Sequence, residues 1–373
     1  MKRILFMSEE EARTTLYCAG LSGDYEFYVV GNLEKNKTIQ FHPMCAKFIP
    51  LNAELGKGCD SAKVVDELIE IIKRDSIDIL LPVSITCMQV VDEFKEKLRA
   101  LVLIAPFPDS DCVRLLDDKY NFYLFCKENG IAHPESAYVE NSLAINPENP
   151  AIPYPLLIKP TLGAGGFDTL IFCKTKSDMD KFLAKPSEEK EKYFPALLQE
   201  FFEGEDIDFN GFSVDGKVIA SSVMRTDFYE DDISLSFTSF VKNDDVDALG
   251  RKILEVSKYS GPTNIDMRIR ASDGKLMLIE VNPRYWARVM VSLMDGMNFV
   301  EAGIKTTLGE EVDLRSKCPN KIWISYMGIF VKAILKGKLS YLKYFFMLST
   351  EQIRYIIFNK KFYKYANKML GEK

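Results

Sequence analysis

Histidine is nearly absent from this chain of 373 residues, which holds only His42 and His133. Its eight cysteines, Cys18, Cys45, Cys59, Cys87, Cys112, Cys126, Cys173 and Cys318, stand far apart and form no C-x-x-C pair. These shortages argue against a zinc centre, whose ligands come as closely spaced Cys and His. Scattered cysteines read as buried free thiols of a cytosolic protein. No uncharged apolar run approaches the ~18 residues of a membrane-spanning helix. The start, Met1-Lys2-Arg3, passes four apolar residues and then meets Glu9 and Glu10, too short a core for a signal peptide. No G-x-G-x-x-G follows the first strand, so the dinucleotide fingerprint is absent. Internal repeats and low-complexity tracts are absent too.

What is present is the composition of a soluble globular protein, 47% hydrophobic and 27% charged. The length allows two or three domains. A net charge of −6 makes no global case for nucleic-acid binding. Charge is uneven, however. From Lys317 to Lys373 twelve Lys or Arg face only two acids, Glu351 and Glu372.

The first ~105 residues alternate strand and helix, which argues for an α/β domain with a parallel sheet. Strands are expected at Ile4 to Met7, Phe27 to Val30, Ile77 to Val83 and Leu101 to Ala105. Helices are expected at Glu9 to Gly20, at Val64 to Ile72 after a Ser61 cap, and at Cys87 to Leu98. Pro106 and Pro108 mark a linker. Beyond it lie a helix Tyr120 to Glu128, a strand Leu156 to Lys159 and a second strand Thr169 to Cys173. A helix Lys176 to Leu183 follows, then strands Ala196 to Phe202, Ile207 to Val214 and Val218 to Met224. The stretch Asp227 to Asp232 reads as a loop, and Ala248 to Ser260 as a helix.

The densest chemistry lies between Asn264 and Arg284. Two alternating segments, Ile265 to Ala271 and Lys275 to Val281, flank Ser272-Asp273-Gly274, a hairpin pattern. In a three-residue register Ala271 faces Lys275 and Asp266 faces Glu280. Opposed residues stand ~4.5–5.5 Å apart. Two carboxylates that close repel unless a cation lies between them. A two-residue Asp273-Gly274 turn would put Glu280 on the other face. The apolar set Ile265, Met267, Ile269, Met277, Ile279 and Val281 favours the three-residue register. Asn282 shares the face of Glu280. Oxygen donors of this kind suit Mg²⁺, and Arg284 suits phosphate or carboxylate. The plain alternative is a surface hairpin with solvated charges.

Two further stretches belong with it. Lys159-Pro160-Thr161-Leu162-Gly163-Ala164-Gly165-Gly166 is a strand end entering a glycine loop. Such a loop lets backbone N–H groups approach phosphate. No Lys-Ser/Thr follows the last glycine, so it is not a Walker A loop, and a tight turn is the bland alternative. Gln199 to Asp208 is an apolar-plus-acidic hinge that could meet an adenine edge and ribose hydroxyls, or be an ordinary acidic turn.

The order of these pieces resembles the ATP-grasp superfamily over roughly residues 1 to 310. They run from a lysine at a helix start, through a lysine before a glycine loop and an acidic hinge, to Asp…Glu-x-Asn-Pro-Arg. The nearest likeness is to carboxylate–amine ligases of the carbamoyl-phosphate synthetase large-subunit type and to ATP-grasp ligases found with bacterial polysaccharide genes. The motifs that carry it are Glu280-Val281-Asn282-Pro283-Arg284-Tyr285-Trp286 and Leu157-Ile158-Lys159-Pro160. The resemblance implies an N-terminal parallel α/β domain (1–110) and an ATP-grasp domain (111–312) with a small α+β lid at about 135–198. An antiparallel central sheet and a basic aromatic helical segment (313–373) complete it.

The resemblance also implies roles. Lys119 and Lys159 would contact phosphates, and Gly163, Gly165 and Gly166 would belong to the loop closing over them. Glu200 and Phe202 would hold adenine, and Asp206 or Asp208 ribose. Asp266, Glu280 and Asn282 would bind Mg²⁺ or Mn²⁺. Arg284 and Lys159 would be catalytic, with Arg225 facing the γ-phosphate. Arg288 and Ser84 would meet an anionic substrate.

The implied reaction is ATP-dependent joining of a carboxylate to an amine through an acyl phosphate. A kinase-like phosphotransferase and a non-catalytic nucleotide-binding subunit are the alternatives. Neither histidine is required. Partners would be small molecules, not nucleic acid, in a cytoplasmic protein open to homodimerisation. The tail reads as a helical segment packed on the acidic body, or as an interfacial helix pair on an anionic membrane or acidic partner.

Overall fold

Two uninterrupted apolar runs become the central strands of the first sheet. The computed structural model describes residues 1–10, 12–163, 170–229 and 232–370. Strands β1 (Lys2–Met7), β2 (Tyr25–Gly31), β3 (Cys45–Pro50), β4 (Ile79–Pro82) and β5 (Leu103–Ile104) pair in parallel in the order β3-β2-β1-β4-β5. Ile4 to Met7 and Ile79 to Leu81 are buried, as strands covered on both faces must be. The order changes direction at β1, and Ser8 and Ser84 follow β1 and β4, where open α/β sheets carry ligands.

The helices of this region have other bounds than expected. The first is Arg13–Ala19, not Glu9 to Gly20. Asp60, not Ser61, caps Ser61–Asp75 by accepting from the Lys63 N–H. The expected helix from Cys87 to Leu98 is two, Ile85–Glu93 and Lys95–Arg99, broken at Phe94.

The chain divides into two compact units. One comprises residues 1–112, 208–264 and 283–373, and the other residues 113–207 and 265–282. The second unit holds an antiparallel sheet of β6 (Ser136–Val139), β7 (Leu156–Pro160), β8 (Ile171–Cys173) and β9 (Ala196–Glu200), ordered β6-β9-β7-β8. Leu156, Ile158, Ala196 and Leu198 point into its core, together with Met179 and Phe182 of the helix Lys176–Leu183. That alternation sends Lys159 to the other face.

A six-stranded sheet follows the order β14-β13-β10-β11-β12-β15. Its strands are β10 (Gly204–Val214), β11 (Lys217–Tyr229), β12 (Asp232–Phe240), β13 (Gly261–Arg270), β14 (Leu276–Asn282) and β15 (Trp323–Ile324). Asp215 and Gly216, both at positive φ, turn β10 into β11. The expected loop Asp227 to Asp232 is instead strand at Asp227 to Tyr229 and again at Asp232. The expected Ala248 to Ser260 helix runs Asp244–Val256, capped by Asn243.

The C-terminal segment is not wholly helical, since β15 pairs with β12. Its long helix, Thr350–Leu370, packs onto the first unit's own body. The rings of Tyr17 and Tyr355 lie 5.1 Å apart, and His42 sits 5.1 Å from Phe358 and 5.3 Å from Phe362. Burial pushes the His42 pKa down to about 4, so this histidine is a neutral packing residue. Among the described residues no helix is long and apolar enough to cross a membrane.

Candidate nucleotide and metal site

The predicted site residues fall into two groups, one in each unit. In the second unit, the helix Lys119–Glu128 begins at Asp118, whose carboxylate accepts from the N–H groups of Tyr120 and Asn121 at 3.0 and 2.9 Å. That cap places Lys119 at the helix start. Its backbone N–H donates to the Thr161 carbonyl at 2.9 Å, and its Nζ donates to the Gly163 carbonyl at 3.1 Å. Thr161 N–H is held in turn by the Pro195 carbonyl at 3.0 Å. Lys119 and the entry of the glycine loop therefore form one joint. Gly163 has φ +113°, a conformation that side chains resist. Gly165 and Gly166 lie outside the described residues.

Lys159, half-buried at the end of β7, is the electrostatic centre of this group. Desolvation pulls its pKa down to about 8. Lys119 and Arg268 push the same way, whereas Glu280 and Asp266 oppose them. Both predicted carboxylates therefore lie within electrostatic reach of the predicted phosphate lysine. With Arg268 ion-paired to Asp206, Lys119 and Lys159 stand against Asp266 and Glu280, two charges of each sign.

The hairpin connection differs from the expected one. Arg270 N–H donates to the Lys275 carbonyl at 2.9 Å and Gly274 N–H to the Arg270 carbonyl at 2.8 Å. The loop is thus the four residues 271–274, and Arg270, not Ala271, stands opposite Lys275, a register that brings Asp266 opposite Ile279 and not, as expected, opposite Glu280. Gly274 at φ +70° closes it. The added residue is tolerated because β14 is buried on both faces at its centre. Met277 and the neighbouring Leu278 are both inaccessible, and Leu278 N–H bonds to the Ala132 carbonyl.

Arg268 is the member that sequence reasoning overlooked. Its Nε lies 2.6 Å from Asp206 and its Nη1 3.4 Å from the Phe202 carbonyl. The signal was available, since Arg268 is two residues from Asp266 on one strand. Asp206 is thus paired with an arginine. Glu200 ends β9 with its carboxylate 3.6 Å from Arg270 and accepting from Glu135 N–H. The Phe202 ring lies 5.7 Å from the Arg270 guanidinium. Asn282 ends β14, half-buried.

The first unit carries Ser84, Asp208, Arg225, Arg284 and Arg288. Arg288 is half-buried. Its Nη2 donates to Thr238 Oγ1 at 2.5 Å, and burial lowers its pKa while Asp208 and Tyr326 raise it. Asp208 thus acts on Arg288, and Asp206 on Arg268. Arg284 donates to the Tyr285 carbonyl at 3.1 Å. Arg225 lies 3.6 Å from Asp227. Ser84 caps the helix Ile85–Glu93, accepting from Cys87 N–H and donating to its Sγ. Its hydroxyl already has a structural task.

Oxygen-only donors on Asp266, Glu280 and Asn282 fit a hard divalent cation. Among the described residues no three His, Cys, Asp or Glu cluster as a metal site, and the set expected from the sequence includes the Asn282 amide. Burial holds the His133 pKa down at about 4, and its Nδ1 lies 2.7 Å from the Pro134 carbonyl.

No family model matches the chain. It is 26% identical over 212 residues to the arginine-specific carbamoyl phosphate synthase large chain of Geobacillus stearothermophilus, covering 54% of this chain and 20% of that protein. To the carbamoyl phosphate synthase large chain of Methanosarcina barkeri it is 25% identical, over 47% of this chain and 17% of that one. The chain thus spans about a fifth of the length of these relatives. Among solved structures, it superposes on the L-amino acid ligase of Bacillus licheniformis with a TM-score of 0.64 at 15% identity, covering 85% of this chain and 78% of that one. The biotin carboxylase domain of Hydrogenobacter thermophilus 2-oxoglutarate carboxylase, complexed with MgADP and bicarbonate, gives 0.63 at 14% identity, covering 87% and 73%. N5-carboxyaminoimidazole synthetase of Staphylococcus aureus, complexed with ADP, gives 0.63 at 12%, covering 87% and 80%.

Proposed function

We propose, for a chain with the ATP-grasp fold and sequence homology to carbamoyl phosphate synthase large chains, that it joins a carboxylate to an amine at the expense of ATP. The observation that carries this reading is the charge cluster of the second unit. Lys119 and Lys159 converge on the entry of the glycine loop, and Asp266 and Glu280 act on Lys159. Residues 1–110 would form the N-terminal domain, 111–312 the nucleotide-binding body and 313–373 an appended segment.

In this reaction the acid's carboxylate oxygen attacks the γ-phosphorus, the bond to ADP breaks, and ADP leaves. The amine then attacks the acyl carbonyl carbon, loses a proton, and phosphate departs. Asp266, Glu280 and Asn282 would hold Mg²⁺, which supplies neutralisation of β- and γ-phosphate charge when bound. Lys119 and Lys159 contribute fixed positive charge to the same oxygens. Arg284, two residues past Asn282, is assigned to the transferring phosphoryl group. Glu200 and Phe202 are assigned to adenine and Asp206 to ribose, with Arg268 fixing the Asp206 carboxylate. Arg288, a half-buried cation, is assigned to the acid substrate.

The test is ADP release measured over pools of carboxylates and amines. Release is expected to need one of each. Release with an acid alone, accompanied by a stable phosphorylated product, would establish a phosphotransferase instead.

The lysine adds a pH signature. With a pKa of about 8, Lys159 is charged below that value and neutral above it. ATP affinity is therefore expected to fall by up to about tenfold between pH 7 and pH 9. Lys159→Arg, which stays charged, should flatten the curve. Calorimetric titration across that range reads both, and a flat wild-type profile would remove Lys159 from the phosphate site.

A further inference from the structure

The C-terminal segment has two faces, and only one of them is used by the fold. Phe330 and Tyr341 are buried with Phe237, Ile322 and Ile324 in a small core of their own. The outward face of the same stretch carries large apolar side chains that nothing covers. Leu335 is 82% exposed, Leu339 64% and Phe346 85%. Val331 and Leu335 sit one turn apart on the helix Met327–Leu335, and beyond a turn at Gly337 the chain exposes Leu339, Leu342 and Phe346. Lys332, Lys336 and Lys343 are exposed among them. From Asn320 to Leu370 the sole acid is Glu351.

We infer that this outward face, residues 327–346, docks the protein on an anionic lipid surface. Three features favour a bilayer over other occupants. Side chains exposed this far project from the surface instead of lining a groove. A protein partner would need pockets to receive them, whereas acyl chains and headgroups close around any projecting shape. Lysines placed between the apolar residues can lay their stems along them and keep their ammonium groups at headgroup level. A second copy meeting the first across a two-fold axis would bring this face against itself, with like charges opposed. The association is peripheral, since no described helix can span the membrane.

The experiment is co-sedimentation of the full chain with vesicles of phosphatidylcholine alone and with added phosphatidylglycerol, at low salt. Binding is expected only to the anionic vesicles. Lys332→Gln, Lys336→Gln and Lys343→Gln should each weaken it by roughly fivefold. Leu335→Asp with Phe346→Asp should weaken it on the order of a hundredfold, because the buried apolar area is lost. Both residues are peripheral to the fold, so circular dichroism and ATP turnover should not change. Failure to bind anionic vesicles would overturn the proposal. So would binding indifferent to the Leu335 and Phe346 changes, which would mark plain charge adsorption. A dimer on gel filtration that Leu335→Asp dissolves would assign the face to a second copy and overturn it equally.

Discussion

Glu280→Gln is expected to lower magnesium-dependent ADP release by at least ~10²–10³-fold, the scale of removing one charge-stabilising group from a reaction centre. The side chain keeps its shape and loses its charge. Two losses follow. A cation held by Asp266, Glu280 and Asn282 gives up one of its two anionic donors. Lys159 also loses the stronger of the two charges that hold its pKa up, so its titration moves below about 8 and less of it is charged at neutral pH. The variant should therefore show both slower turnover and an ATP-affinity curve displaced to lower pH. A coupled ADP assay and a calorimetric series measure the two. Turnover near the parent rate would remove Glu280 from the metal site.

Phe299→Ala is expected to destabilise the first unit by about 3–5 kcal/mol, the usual cost of emptying a buried aromatic site. Phe299 has no exposed surface and lies 5.4 Å from Trp286, two residues past Arg284. It opens the helix Phe299–Leu308, whose cap Asn298 accepts from Glu301 N–H and donates to the Cys18 carbonyl and Ser22 hydroxyl. The ring thus anchors the helix beneath the end of the Glu-Val-Asn-Pro-Arg motif. Urea unfolding measures the loss. Phe346→Ala is the control: that ring is exposed, and its removal should change stability by no more than about 0.5 kcal/mol. Equal effects from the two would contradict the packing described.

Strong periodicity was legible in the sequence and weak edges were not. The helix Lys176–Leu183 and the strand at Leu156 fell where apolar spacing put them. Strands β3 and β6 escaped notice because both are sheet edges with half their positions wet, and β3 buries only Ile49 fully. Strand β12 did carry a signal, the alternation Ser234-Leu235-Ser236-Phe237, masked by the acidic run before it. At the site, residue types draw attention to Lys159, Asp266 and Glu280, and the family resemblance to Lys119. The apolar alternation favours a three-residue hairpin loop that the structure does not have, because β14 is apolar on both faces and alternation is then a weak guide. Residue types do not single out Arg268, whose importance comes from a partner 62 positions away.

The pairing of Phe237 with Ile324 and of Thr238 with Trp323 makes the last sixty residues a structural tenant of the sheet, not a detachable appendix. Gln352 locks the arrangement by accepting from Ile324 N–H and donating to its carbonyl. A chain cut before Trp323 would leave β12 with a raw hydrogen-bonding margin, an invitation to aggregate. Transplanting this terminus onto another protein would require the host to offer a matching strand.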